Sequence, residues 1–244
     1  MKKEDIFAQV ERRKQDMIDD ICAMVQIDSK RGEPQEGKPF GCGPATALEK
    51  ALEICKREGL VTKNIDGYMG YGSFGESQNY IGIIGYVDVV EVGDGWIDPP
   101  FSAVIHDGRM GIRFSLTYPT CNIDKIVKQV QTKATDLEVK LVSNSPVVLH
   151  HKDSWLVKTM QKAYEEATDT STKPTITTGV TYAHVCDSII PYGPSFSGQN
   201  GIAHQPNEWV NINDLVTCAK IYAWTLYKLC MAEIPINPLE EEKS

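Results

Sequence analysis

The chain has 244 residues, 41% of them hydrophobic and 24% charged, enough for one large domain or two small ones. A net charge of -8 argues against a nucleic-acid surface. No apolar run approaches the roughly 20 residues of a membrane span. The start, MKKEDIFAQVERRKQ, has no apolar core segment, which argues against a secretory signal. The seven cysteines are spread from Cys22 to Cys230 with no C-x-x-C pair, the pattern of reduced thiols in a cytoplasmic protein.

Residues 4–26 carry Ile6, Val10, Met17, Ile18, Ile21 and Val25 at the spacing of a helix with one buried side. SKRGEPQEGKPFGCGP then reads as a surface loop. Pro44 opens the next helix, where its missing N–H costs nothing. Leu48, Ala51, Leu52 and Cys55 form its inward stripe, and Gly59 closes it. YIGIIGYVDVV is a continuous apolar run and predicts a strand covered on both faces, as in a parallel sheet. GIRFSLTYP, NIDKIVKQVQTKATD and LEVKLVSN predict one β-α-β unit. Asp153 or Ser154 caps a helix ending near Ala167. SIIPYGP predicts a short strand, and a last helix runs from about Asn213 to Met231. The polar tail from Pro235 is expected to fray.

Several phrases together resemble one family. IGIIGYVDVVEVGDGWIDPPFSAVIHDGRM resembles a metal-binding strand of pattern G-H-x-D-V-V-P-x-G-D-G-W, followed by D-P-F and K-D-G phrases. GKPFGCGPATALEKALEICKREGL resembles that family's second helix, and GIRFSLTYP a strand of its lid domain. TGVTYAH and AHQPNEWVNINDL resemble its C-terminal G-G-G-T-Y-A-R and A-H-x-P-N-E phrases. The family is the dinuclear zinc dipeptidases (peptidase family M20), in the Xaa-His dipeptidase branch related to carboxypeptidase and aminoacylase. The resemblance implies a three-layer α/β/α domain with a mostly parallel sheet, built from residues 1–109 and 146–235. A remnant β-α-β lid unit would span 111–144, and 236–244 would be a charged tail. It also implies that a long family segment, carrying a metal-bridging aspartate and a Glu-Glu pair, is absent between Met110 and Gly111. A natural deletion, a gene lesion and an engineered shortening would all produce that junction.

In the family a zinc pair holds a water, and a glutamate removes its proton. Tyr86 stands at the first histidine ligand's position, where it is either a packing aromatic or a rare phenolate ligand. Asp88 matches the aspartate that orients that histidine, so it keeps a structural role or a surviving catalytic one. His204 is the family ligand left intact. Thr181 and Tyr182 match the substrate-side segment with Gly179, while Val180 and His184 replace a glycine and an arginine there. His106, His150 and His151 read as solvated. Asn207, Glu208 and Asp214 are expected to fix a loop and cap the last helix, and Trp96 to anchor the GDGW turn.

The family implies zinc, but one imidazole and one carboxylate fall short of the donors a zinc pair needs. The resemblance therefore leaves two functions open. One is a dipeptidase-like protein that keeps the scaffold, has lost most of its zinc site and binds a small peptide or a partner. The other is an active metal-dependent dipeptidase. Its site would be rebuilt from Asp88, His184 and His204, or completed by a partner chain. The edge of the lid remnant would favour a homodimer.

Overall fold

A computed structural model describes residues 1–77, 79–106, 109–110, 128, 132, 148–175, 181–186, 188–193, 196, 198, 202–203 and 205–240. The predicted β-α-β unit therefore lies almost wholly outside the described residues. Lys128 and Thr132 are helical within it, and the Thr132 hydroxyl donates to the Lys128 carbonyl at 2.7 Å. The lid edge expected to support a homodimer falls outside them as well.

The helix expected over 4–26 is two, α1 (Lys3–Arg12) and α2 (Lys14–Val25), broken where Arg13 leaves the helical region at φ -96° and ψ 7°. The break turns each apolar stripe to its own neighbour, burying Ile6 on α1 and Ile18 on α2. Arg13 itself pairs with Glu58, and Arg57 with Asp20, tying α2 to the end of the next helix.

That helix, α3 (Cys42–Arg57), starts after Gly41 at φ 91° and carries Pro44 in its first turn, buried. Gly59, at φ 87°, ends it as expected. A hairpin follows, β1 (Val61–Ile65) and β2 (Met69–Ser73), paired antiparallel with Val61 opposite Ser73 and Ile65 opposite Met69. Its turn puts Asp66 and Gly67 at φ 50° and 73°, the conformation that Asp-Gly favours. Gly70 and Gly72 face α3: a Cβ on Gly70 would sit 2.9 Å from Leu52, and one on Gly72 3.2 Å from Cys55. Two bare positions on one face let the hairpin lie flush on the helix.

The run Tyr80–Val90 differs from expectation. It carries no strand through Asp88, and among the described residues its backbone pairs in an isolated parallel bridge of Val89 to Lys30. Tyr80 and Ile83 are 87% and 77% exposed, so the expected cover on both faces is missing. A buried strand is a tertiary object, because it needs neighbours on each edge and each face. The described residues supply one bridge. The sheets they form are antiparallel: the hairpin, and β3 (Ile105–His106), β4 (Arg109–Met110) and β5 (Val210–Asn211) in that order. The content is mixed helix and strand, and SIIPYGP, described at 188–193, forms no strand there.

The best-buried core lies between α4 (Trp155–Thr168) and α5 (Ile212–Met231), with α1 against α5. Ser154 caps α4, its hydroxyl accepting from the Val157 N–H, and Asn211 caps α5 by accepting from Asn213. The α5 cap is thus Asn211 rather than Asp214, which sits inside the first turn. Ala163 and Ile221 are fully buried, and Met160, Val216 and Leu229 nearly so. Each large side chain buried there contributes about 1.5–3 kcal/mol. Glu166 fastens the three helices: its carboxylate accepts from Trp224 at 2.8 Å and Lys228 at 2.7 Å, and its carbonyl from Lys3 at 2.6 Å. The tail expected to fray is docked at Pro238, whose carbonyl accepts from Leu156, one of the orphan donors at the start of α4.

Candidate functional site

Tyr86 and Asp88 are both exposed, while Val87 between them and Val89 after them are half-buried. The alternation is that of extended chain, which throws residues two apart to one side. The Val89 N–H donates to the Ser29 carbonyl at 3.3 Å, and Ser29 is buried, so the end of the segment is anchored beside the loop before α3.

The Tyr86 ring meets Tyr182, with ring centroids 6.1 Å apart and planes at 50°. Tyr182 belongs to a single 3-10 turn, Tyr182–His184. Thr181 caps that turn, its hydroxyl accepting from the Ala183 N–H at 3.2 Å and its carbonyl from His184 at 3.1 Å. Ala183 points into the core at 2% exposure, which leaves Tyr182 on the outside and His184 half-buried. Burial, then the neighbouring Tyr182, then the Asp88 charge push the Tyr86 hydroxyl above the ordinary tyrosine range. Each cause disfavours the phenolate.

A second pair of loops closes nearby in sequence. The Trp96 indole donates to the Val92 carbonyl at 2.9 Å, which holds the GDGW turn in shape. Asn207, at φ 63°, accepts from the Ile97 N–H at 2.8 Å and donates to the Gly95 carbonyl at 3.2 Å. The expectation that Asn207 fixes a loop is met, and the loop it fixes lies 110 residues away. Glu208 is buried beside it.

The structure thus joins Tyr86 to the Thr181–His184 turn, and GDGW to the 205–209 loop. His204, Gly179 and Val180 lie outside the described residues. His150 corrects its sequence reading: it is half-buried, and its Nε2 donates to the Ile189 carbonyl at 2.9 Å. His151 is exposed and accepts from the Asp153 N–H. The Tyr86–Tyr182 contact was not foreseen. The two residues are remote in sequence, and the one local signal was the shared outward side of Tyr86 and Asp88.

Among the described residues no group of three or more His, Cys, Asp or Glu side chains could hold a metal ion. Asp88 lies two residues from Tyr86, and both are exposed. These residues do not fit a zinc pair.

The described residues mix helices with small antiparallel sheets, and the candidate site lies where the segment around Tyr86 meets the Thr181–His184 turn. Residues 118–228 match Peptidase family M20/M25/M40. The match contains Thr181, Tyr182, His184 and His204, while Tyr86 and Asp88 precede it. The chain is 43% identical over 107 residues to "Putative dipeptidase YtjP" of Bacillus subtilis, covering 43% of this chain and 23% of that protein. It is 37% identical over 103 residues to "Beta-Ala-Xaa dipeptidase" of Lactobacillus delbrueckii subsp. lactis, covering 41% and 22%. "Putative dipeptidase SH1171" of Staphylococcus haemolyticus is 34% identical over 102 residues, again covering 41% and 22%. The matched stretch spans less than a quarter of the length of these relatives. Among the described residues, no helix is long and apolar enough to cross a membrane.

Proposed function

We propose that this chain is a dipeptidase-like protein that binds small peptides at the Tyr86–Tyr182 face and does not hydrolyse them on its own. The carrying observation is the state of Tyr86. At the position where the resemblance expects an imidazole ligand, a neutral phenol packs against the substrate-side Tyr182. Asp88 then has no ligand to orient, and serves as a charge beside a peptide cleft. The three-layer scaffold with a parallel sheet belongs to this proposal, and so does a cytoplasmic setting. The parallel bridge of Lys30 to Val89 supports the sheet direction.

The dipeptidase names of the relatives favour a second reading, an active metal-dependent dipeptidase. Its metal would be held by Asp88, His184 and His204, or by those residues with a partner chain. Incubating tag-free protein with a mixed dipeptide pool, with and without zinc, separates the two. Binding by calorimetry without product by mass spectrometry supports the first. Zinc-dependent turnover that His204→Ala abolishes overturns it.

A further inference from the structure

Two half-exposed tyrosine rings and an exposed carboxylate share one corner of this surface. Tyr86 is 46% exposed and Tyr182 39%. Their planes meet at 50° rather than stacking flat, so the two rings form a wedge and both stay partly exposed. A cation seated in it lies within the roughly 6 Å of each ring centroid over which the negative ring faces attract charge. Asp88 stands two residues from Tyr86, at most about 7 Å along the chain, and both are exposed. Its charge reaches the Tyr86 hydroxyl. An anion is repelled here, and an apolar group would leave the carboxylate unanswered. An organic ammonium satisfies both the ring faces and the carboxylate.

We infer that Tyr86, Tyr182 and Asp88 form a receptor for an organic ammonium group, the N-terminus of a small peptide or a free amine. This rests on the reading above only for the peptide as its source. The wedge takes the cation on its faces, and Asp88 sets the sign of the charge it accepts. The Thr181 cap and the buried Ala183 hold Tyr182 in place.

The test is NMR titration of tyrosine-labelled full chain with tetramethylammonium, Gly-Gly and N-acetyl-Gly-Gly. The expected result is that tetramethylammonium moves the Tyr86 and Tyr182 ring signals. Gly-Gly moves the same signals, and N-acetyl-Gly-Gly does not. Tyr86→Leu and Asp88→Asn each weaken tetramethylammonium binding about three-fold, the size of an exposed cation–ring contact. Tyr71→Leu, on the exposed face of the hairpin, leaves it unchanged. Binding of tetramethylammonium without Gly-Gly supports the ammonium receptor and removes the peptide reading. Equal binding of Gly-Gly and its N-acetyl form, or Tyr86 and Tyr182 signals unmoved by tetramethylammonium, overturns the receptor while leaving peptide binding intact.

Discussion

Tyr192→Phe removes one oxygen from the seam between α4 and α5. The Tyr192 hydroxyl donates to the Met160 carbonyl at 3.1 Å and meets the Thr225 hydroxyl at 2.9 Å. Thr225 is 3% exposed, so water cannot replace the lost partner. The Met160 carbonyl lies within α4, whose own ladder continues to serve it, so the larger loss is at Thr225. A buried hydroxyl left unsatisfied costs about 1–3 kcal/mol. Thr225 is helical and can turn its hydroxyl back to the preceding turn, which places the expected cost near 1–1.5 kcal/mol. Thermal unfolding followed by tryptophan fluorescence should then show a melting temperature lower by about 2–6 °C, given about 2–4 °C per kcal/mol at this size. Adding Thr225→Val removes the stranded group, so the double variant should lose less than the sum of the two singles. Strict additivity, or no shift for Tyr192→Phe, would refute the claim that this contact holds the seam.

Burial raises the Glu166 carboxyl, but hydrogen bonds from Lys228 and Trp224 and the Lys228 charge bring it below its usual value. A lowered folded value stabilises the fold above the ordinary glutamate range and loses that stability as pH falls through the folded value. Glu166→Gln should therefore lower urea midpoints at pH 7 by about 1 kcal/mol equivalent, and the difference should vanish in acid. Ile221→Ala, at a fully buried site, should cost about 2–5 kcal/mol in denaturant unfolding. Gly67→Ala forces a side chain into φ 73° with the Gly37 carbonyl 2.3 Å from its Cβ, and should destabilise by more than about 1 kcal/mol in the same assay. The Cys218 thiol is pushed up to about 11, mainly by burial and then by Asp214. At pH 8 a thiol reagent should label the exposed Cys42, Cys186 and Cys230 and spare Cys218 until urea unfolds the chain.

The helices were the legible part of this fold, because their signals are local. Ser154 and Gly59 stand at helix ends where their chemistry predicts, and the last helix starts one residue from its expected position. The Asp66-Gly67 turn carried the hairpin signal as plainly, although the run that follows it mixes glycine with tyrosine and hid the strand. The segment 80–90 was read from its apolar run alone. Hydrophobicity states that cover is needed, whereas the strand itself depends on neighbours elsewhere in the chain. The site was half legible. The turn at 181–184 and the 86–88 pair were each singled out, but their meeting through Tyr86 and Tyr182 depends on tertiary packing that neither segment encodes alone.

We propose that this chain holds no zinc pair. Equilibrium dialysis of the tag-free chain against buffered zinc, read by elemental analysis, tests it directly. The account predicts well below one tightly held zinc per chain, with no change for Tyr86→Phe. Two zinc ions per chain, retained against a chelating resin and lost on Asp88→Ala, would contradict it.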